Sequence, residues 1–588
     1  MFTYEVVNGA TVTITDYPEN ATGPVAIPSE IAGKPVTGIR NGAFSVCAGM
    51  TSVTIPSSIT SIGGYAFYGC RGLTSITIPS SVTSFGEGAL QECTGLTSVT
   101  LEHGLTRIGR SMFAICSGLT SINIPSSVAT IDDYAFSSCT GLTSITIPSS
   151  VTSLGSGAFY GCFGLAAINV EPANPAYSSD SGVLLNAART TLVSCPQGRA
   201  GAYSIPSGVS TIDPFAFVGC TLLTSLTLPS SLTIIGDSAF RSCTGLTAIN
   251  VAPGNPAFSS DAGVLLNAAR TTILFCPQAK AGPCTIPSSI TSIGAQAFVG
   301  CTALTSVTIP ASVTSIGDLA FYSCTGLTAI DVEPGNPAYS SDRGVLLNAA
   351  RTMLIVCPAG KAGTCAIPAS VTGIGDAAFF FCARLTSVII PAGVTSIGAE
   401  YFDDEGDSYD TDVFYNCSSL TRLVLLGDAP ALPGGDFSGS AQGFTIYFLS
   451  SSNGFTSPAW HGYSATMIDE STYPAAAWLL AHGLWYNTSL HTDPDGDGVS
   501  LRMAWALDLD PTLPQESQMP APVLTGNTLS LTFSATRPGL TYLVETSTAL
   551  TNWTTTGITL SPPGPDGRTT ATVPLNAPRR FLRITVED

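Results

Sequence analysis

The fold is decided by the stretch Cys70-Arg-Gly-Leu-Thr-Ser-Ile-Thr-Ile-Pro-Ser-Ser-Val-Thr-Ser-Phe-Gly-Glu-Gly-Ala-Leu-Gln-Glu, after which Cys93 begins the next copy. Twelve cysteines hold the same place in successive copies, and the step from Cys70 to Cys93 is the commonest one: Cys47, Cys70, Cys93, Cys116, Cys139, Cys162, Cys220, Cys243, Cys301, Cys324, Cys382 and Cys417. A period of this length predicts a solenoid, in which each coil of the chain stacks on the preceding one.

Each copy contains two short extended segments. Residues 73–78 have the L-x-x-L-x-L spacing of a leucine-rich repeat and predict a strand. Pro79 ends that strand because proline cannot donate to the ladder. Residues 82–85 predict a second, shorter segment before a turn at Gly86. The Ala-Phe pair that precedes each cysteine, such as residues 66–67, is predicted to point inward, so that coils stacked about 4.8 Å apart share one continuous core.

Three longer units interrupt the array at equal intervals, beginning at Asn169, Asn250 and Asp331. Each contains an Asn-Pro-Ala-(Tyr/Phe)-Ser-Ser-Asp segment followed by two strand-like runs, which are residues 182–186 and 190–195 in the first unit. We expect each unit to be a modified coil with a protruding hairpin. The aspartates near the hairpin bases are candidate contact residues: Asp180, Asp261 and Asp342.

The seventeen cysteines are an odd number and cannot all pair within one chain. One cysteine per coil predicts a column of buried thiols whose S–H groups donate to backbone carbonyls. Cys276 with Cys284 and Cys357 with Cys365 are the pairs that could bridge the long units, although the first unit has Tyr203 at the second position. Zinc would require clustered C-x-x-C pairs, which the sequence lacks.

The repeat Ile-Pro-Ser-Ser-Val-Thr-Ser-Ile-Gly-x-x-Ala-Phe-x-x-Cys resembles the BspA-type leucine-rich repeats of bacterial surface proteins over roughly residues 1 to 468. The long units and the closing segment Phe444-Thr-Ile-Tyr-Phe-Leu resemble the same family. The resemblance implies adhesion or other binding at the cell exterior, with no catalytic residues to carry over. It implies an extracellular or cell-surface location, whereas the N-terminal residues have no signal-peptide features, so the export route stays open.

The outward side chains of the predicted strands are small hydroxyls on the concave sheet. They are Ser75 and Thr77, with their equivalents Ser52, Thr54, Ser98, Thr100, Ser144, Thr146, Ser306 and Thr308. Serine and threonine suit an exposed strand on structural grounds alone. The same rows also form a flat platform for a protein or glycan on a cell or matrix surface. Regular threonine rows are found in ice-binding solenoids too, but residues such as Asn123 and Ala167 interrupt these rows.

Residues 493–499 fit the first half of a D-x-D-x-D-G calcium loop, in which carboxylates supply hard oxygen ligands and Gly498 permits the turn. The predicted ligands of Ca²⁺ are the carboxylates of Asp493, Asp495 and Asp497 and the carbonyl of Val499. The bidentate glutamate of such loops is replaced by Ala504, so the loop is degenerate, with Asp508 or Asp510 as alternative ligands. A second acidic stretch, residues 401–412, is predicted to be a solvated loop, with a weak calcium contact as the alternative.

The predicted fold is mainly β and has four parts. These are a leucine-rich-repeat solenoid over 1–417, its C-terminal cap over 418–468, a linker with a short helix and the calcium loop over 469–516, and a β-sandwich over 517–588. The last part alternates polar and apolar residues between Pro/Gly turns, which favours a small sandwich of immunoglobulin or fibronectin type III style.

The composition narrows the function. The formal charge is −19, with 40 acidic and 21 basic residues, and no basic stripe exists to hold a phosphate backbone. Nucleic acid is therefore excluded as a partner. No apolar run is long enough to span a bilayer, which excludes insertion into a membrane. None of the four histidines accompanies a nucleophile motif. We therefore predict a non-catalytic binding protein that requires no cofactor, with a structural matrix spacer and an ice or crystal binder as alternatives.

Overall fold

The computed structural model describes residues 2–398, 401–402, 408–409, 413–432, 437, 439–497, 499–511, 518–537, 540–577 and 579–587. Gly498 and most of the acidic stretch 401–412 lie outside these residues. The chain divides into two compact units, Met1–Ala338 and Tyr339–Asp588. Within the described residues, no helix combines the length and the apolar composition that crossing a membrane requires.

In the first unit, successive coils contribute a long strand to one wall and a short strand to another. The long strands are Gly23–Ala26, Met50–Thr54, Ser75–Ile78, Ser98–Leu101, Ser144–Ile147, Ala167–Val170, Gly201–Ser204, Leu223–Leu228, Ala248–Val251, Gly282–Thr285, Leu304–Ile309 and Ala329–Val332. The short strands are Lys34–Ile39, Ser61–Ile62, Ser84–Phe85, Arg107–Ile108, Thr130–Ile131, Ser153–Leu154, Thr211–Ile212, Ile234–Ile235, Ser292–Ile293 and Ser315–Ile316. Equivalent strands of adjacent coils pair in parallel, as the repeat predicts.

The N-terminus closes the first coil. Strand Thr3–Val7 pairs antiparallel with Thr11–Asp16, which in turn pairs in parallel with the first short strand, Lys34–Ile39. A second small pairing joins Glu30–Ile31 to that short strand. This hairpin therefore extends the sheet of short strands on the N-terminal side of the first coil.

The core follows from strand alternation and from the inward Ala-Phe pairs. In Ser75–Ile78, Ile76 and Ile78 are buried while Ser75 and Thr77 are exposed. The rings of Phe44 and Phe67, in adjacent coils, stack with centroids 5.0 Å apart, and this contact recurs along the array. The predicted inward direction of the Ala-Phe pairs is confirmed.

The cysteine column is also confirmed. The Sγ of Cys70 donates to the carbonyl oxygen of Phe44 at 3.0 Å, and the Sγ of Cys93 donates to that of Phe67 at 3.1 Å. All seventeen cysteines are free thiols, so the long-unit pairs considered above form no disulfide. Burial raises the pKa of the Cys116 thiol to about 12. The column therefore consists of buried thiols that donate to carbonyls of the preceding coil.

Each long unit is a three-stranded antiparallel meander that is built into the wall. The strands are Tyr177–Asp180, Val183–Asn186 and Thr191–Ser194, then Phe258–Asp261, Val264–Asn267 and Thr272–Phe275, then Tyr339–Asp342, Val345–Asn348 and Met353–Val356. The two predicted strands do form a hairpin, but the prediction that it protrudes was wrong, because Val183, Leu185 and Leu192 are buried in the core. The last strand also pairs in parallel with the next short strand, Thr211–Ile212.

The second unit begins within the third long unit, and its sequence continues the repeat. A six-stranded sheet contains Gly363–Ala366, Leu385–Ile390, Arg422–Leu425, Thr445–Leu449, Tyr463–Ile468 and Ala459–Trp460. The short strands here are Gly373–Ile374 and Ser396–Ile397, and Tyr401–Phe402 pairs with Ser408–Tyr409. Helix α1, Ala476–Ala481, packs Ala476 and Leu480 against Ile389 and Val424 on the outer side of this sheet.

The C-terminal part has two antiparallel sheets and helix α2, Leu501–Leu507, whose first turn is capped by the Ser500 hydroxyl. One sheet contains Val523–Thr525, Thr528–Ser534, Arg568–Pro574 and Thr559–Leu560; the other contains Thr541–Ser547 and Phe581–Glu587. The interpretation of 469–516 as a linker needs correction, because Trp478 and Leu501 share one core with Phe533 and Val544. The immunoglobulin or fibronectin style of this region stays a prediction.

Candidate binding surface

Six of the ten predicted hydroxyl residues lie on one parallel sheet. We call this surface the hydroxyl face and define it by Ser52, Thr54, Ser75, Thr77, Ser98 and Thr100. The register places Ser52, Ser75 and Ser98 in one row, and Thr77 and Thr100 in another. Neighbouring strands of a sheet lie about 4.8 Å apart, so the face is a regular array of small polar groups.

The hydroxyls of this face differ from those of the neighbouring threonine row. Thr74 Oγ1 donates to the Thr51 carbonyl at 3.2 Å, and Thr97 Oγ1 donates to the Thr74 carbonyl at 3.1 Å. In contrast, the six hydroxyls of the face form no hydrogen bond with another residue in the described part of the chain. The threonine row therefore ties coils together, whereas the hydroxyl face keeps its donors and acceptors available to a partner.

The other four predicted residues lie on separate sheets. Ser144 and Thr146 pair with Ala167 and Asn169 in a two-stranded sheet. Ser306 and Thr308 belong to a three-stranded sheet in which Thr308 faces Asp331. The segment 121–124, which forms no strand, separates the first sheet from the second, and long units separate the second sheet from the third; for example, the amide of Ile168 donates to Gly182 O at 2.8 Å. The ten residues thus form three patches rather than one continuous surface.

In the second unit the equivalent surface is apolar and covered. Ile389 holds the coil position that Thr308 holds one long unit earlier in the array, and Ile389 is buried with Val424 and Leu449. The Arg422 guanidinium lies 4.6 Å from the centre of the Trp485 ring, on the same side of the sheet. At the positions of Ile389 and Val424 the sheet therefore presents apolar side chains to helix α1 rather than hydroxyls to solvent.

The candidate aspartates of the long units are held in ion pairs. Asp180 pairs with Arg189 at 2.8 Å, and the equivalent pairs are Asp261–Arg270 at 3.0 Å and Asp342–Arg351 at 3.3 Å. Exposed pairs of this kind contribute about 0–1 kcal/mol each. Their arginines also bond the backbone of the same meander, as Arg189 does at the Ser179 carbonyl, so these groups mainly hold the meander.

The three aspartates of the predicted calcium loop come together. One carboxylate oxygen from each of Asp493, Asp495 and Asp497 lies within 4.8 Å of the others. The amide of Val499 donates to Asp497 Oδ1 at 2.9 Å. This bond holds Val499, whose carbonyl is the predicted fourth ligand, beside one of the three carboxylates. Partial desolvation, together with the neighbouring Asp493 carboxyl, raises the pKa of Asp495. Such crowding of like charges suits a cation.

The alternative ligands for this loop are engaged elsewhere. Asp508 pairs with Arg537 at 2.5 Å, and Asp510 pairs with Arg343 at 3.3 Å. Ala504 is buried in helix α2, so the position of the usual glutamate carries no oxygen ligand. The described residues thus provide three carboxylates, a number that suits weak rather than tight binding of Ca²⁺.

The sequence reasoning missed a cavity of about 500 Å³ in the first unit, beside the first long unit. The aromatic side chains of Tyr134, Tyr160 and Phe215 line it together with Asp213 and Ser194. These residues follow short strands or end the meander, so the cavity lies away from the long strands. A comparison of the three long units position by position would have found it, because the other two differ there.

The repeat array of this chain is similar to those of known proteins. A family model described as BspA type leucine rich repeat region matches residues 37–170, 200–262, 274–341 and 361–464, more than half of the chain. No curated protein matches the sequence. A solved structure of a leucine-rich cell surface protein from Faecalibacterium prausnitzii is 30% identical, with a TM-score of 0.43, and the match covers 56% of this chain and 93% of that one.

Two further solved structures are similar. A leucine-rich repeat protein from Eubacterium ventriosum is 24% identical, with a TM-score of 0.38, over 74% of this chain and 91% of that one. A leucine-rich repeat protein from Bacteroides ovatus is 21% identical, with a TM-score of 0.27, over 72% of this chain and 93% of that one.

Proposed function

Because the chain belongs to the BspA-type leucine-rich-repeat family, we propose that it is a non-catalytic adhesion or recognition protein of the cell surface or extracellular space. Its partner is a protein or a glycan on a cell or matrix surface. The observation that carries the proposal is the hydroxyl face, whose six hydroxyls have no hydrogen-bond partner in the described part of the chain.

The chemistry of the face fits a polar partner. Each hydroxyl is both a donor and an acceptor, so one array can meet the hydroxyls of a sugar or the backbone groups of a protein loop. Serine and threonine lose little side-chain freedom on binding, which lowers the entropic cost of forming an interface. A net charge of −19 opposes binding of nucleic acid, whose affinity for proteins depends on basic residues.

The C-terminal region supports a second, smaller proposal. We propose that Asp493, Asp495 and Asp497, with the Val499 carbonyl, hold Ca²⁺ and stiffen the segment before helix α2. The short distances among the three carboxylates favour it. We further propose that residues 517–588 form a sandwich of immunoglobulin or fibronectin type III style, and that 1–417 and 418–468 act as solenoid and cap.

The experiment that tests the main proposal is a binding screen of the full chain against extracellular-matrix proteins and a glycan array, with and without Ca²⁺. A saturable hit that is weakened by lysine substitutions on the hydroxyl face would support the proposal. Absence of any hit, together with self-assembly of the protein, would favour a structural matrix spacer instead.

A further inference from the structure

The three long units are close copies, but several substitutions distinguish the first from the others, and one of them lies beside the cavity. Position 194 is serine, whereas the equivalent positions are Phe275 and Val356. Phe275 packs on Phe240 with ring centroids 5.5 Å apart. The equivalent of Phe240 in the first unit is Phe159, which lines the cavity of about 500 Å³ because Ser194 leaves its side uncovered.

Aromatic rings form the walls of this cavity. Tyr134, Tyr160 and Phe215 are 42%, 53% and 54% exposed, although each has a large aromatic side chain. The Tyr134 ring lies over Gly157 of the next coil, where a Cβ would come within 2.7 Å of a ring carbon. A glycine in this place therefore lets the ring lie flat along the wall.

Among the described residues that line the cavity, Asp213 is the one acid. Asp213 stands where the two later copies have Gly294 and Gly375. Its carboxyl forms no hydrogen bond or ion pair with another residue in the described part of the chain. Among the described residues that line the cavity, none is lysine, arginine or histidine. Burial raises the pKa of Asp213, as expected for a carboxylate without a cationic neighbour.

We propose that this cavity binds a small organic cation, an amine or methylated ammonium group, between the Asp213 carboxylate and the rings of Tyr134, Tyr160 and Phe215. Aromatic faces attract cations, and no described residue that lines the cavity supplies the carboxylate with a counterion. The volume suits a small molecule or a single side chain. The negative charge of the whole chain favours the approach of a cation and opposes an anion. The site lies away from the hydroxyl face, so it extends the proposed function without depending on it.

The test uses the full chain and calorimetric titration with two ligands of the same shape. The probes are (2-hydroxyethyl)trimethylammonium and its neutral isostere 3,3-dimethylbutan-1-ol, with a methyl glucoside as the sugar arm. We expect saturable binding of the cation and at least about tenfold weaker binding of the isostere. Equal binding of the two would overturn the proposal, and so would glucoside binding without cation binding.

Three variants place the site. Ser194→Phe should abolish cation binding while the protein stays folded, because the second long unit accommodates phenylalanine at the same position. Asp213→Asn should weaken cation binding at least about tenfold, since a hydrogen-bonding amide replaces the charge. Asp318→Asn, an exposed aspartate of a later coil, is the matched control and should leave binding unchanged. Unaltered binding by both Ser194→Phe and Asp213→Asn, with folding confirmed by circular dichroism, would contradict the assignment.

Discussion

Ile389 occupies the place in its coil that Thr308 occupies one long unit earlier, yet Ile389 is buried beneath helix α1 whereas Thr308 is partly exposed on its sheet. The outward position of the repeat thus changes from hydroxyl to apolar where another element covers the sheet. The residue type at a given repeat position therefore depends on whether another element covers that position. In the hydroxyl face, where these positions are serine or threonine, the side chains of Ser75, Thr77, Ser98 and Thr100 are exposed.

Replacing Ile389 with threonine should destabilise the second unit by about 2 kcal/mol, because it removes a buried methyl group and buries a hydroxyl without a partner. The measurement is urea unfolding followed by tryptophan fluorescence. All five tryptophans lie at residue 460 or later, so the signal reports this unit. Thr466→Val, at an exposed position of the same sheet, should change stability by less than about 0.5 kcal/mol. Equal effects of the two variants would show that helix α1 does not cover Ile389.

The cysteine column should be almost inert in the folded protein. Burial raises the pKa of Cys116, Cys324 and Cys417 to about 12, and the thiolate is the reactive form. Such a thiol holds about a thousandfold less thiolate at pH 8 than one with its ordinary pKa. We expect slow reaction with Ellman's reagent in the native state and prompt reaction of all seventeen thiols in urea. Cys284, which is partly exposed and has a pKa of about 11, should react first.

Asp213 should make the stability of the first unit depend on pH. Its pKa is raised in the folded state, so its contribution to stability is fully present below the unfolded pKa of about 3.9 and is lost as pH rises through the folded value. At neutral pH the charge therefore opposes folding. Asp213→Asn should raise the melting temperature at pH 7 and change it little near pH 3.

Asp318→Asn supplies the comparison for this prediction and should shift the melting temperature at neither pH. A lower melting temperature for Asp213→Asn at pH 7 would mean that the carboxylate has a stabilising partner in the folded chain. That result would also remove one support for the cation site.

Calcium should stabilise the C-terminal part only weakly. Three carboxylates without a bidentate glutamate suit a dissociation constant of about 10⁻⁴–10⁻³ M, the range of extracellular calcium modules. We expect millimolar Ca²⁺, but not Mg²⁺ at equal ionic strength, to raise the melting temperature of the second unit. Asp495→Asn should remove that increase. The concentration to use is 10 mM Ca²⁺, roughly ten times the highest dissociation constant considered. An identical melting temperature with and without it would argue against calcium binding by this loop.

Much of the fold was predictable because the same local sequence pattern recurs in many coils. Alternation placed Ile76 and Ile78 inside, and a fixed phase placed Cys70 beside the Phe44 carbonyl. The long-unit hairpin was misplaced because two apolar runs joined by a polar turn look the same whether they project or line a wall. Only the tertiary pairing of Thr191–Ser194 with Thr211–Ile212 distinguishes the two.

The remaining differences arise from contacts between segments that are distant in sequence. The change of composition after Asp469 predicts a linker over 469–516, yet Trp478 and Leu501 are buried by strands that follow much later in the chain. The sequence does not predict the cavity, for a different reason. The cavity exists because position 194 is serine where the second long unit has phenylalanine, and the absence of one large side chain produces no sequence motif.

The most direct test of the binding account compares two double variants of the full chain against whichever protein or glycan the screen identifies. Ser75→Lys/Thr77→Lys places two lysines on the hydroxyl face. Ser61→Lys/Ser84→Lys adds the same charge at exposed serines of the short strands. The account predicts a loss of affinity of about tenfold or more for the first variant and no more than about twofold for the second. Equal affinity of both variants for the partner would contradict it.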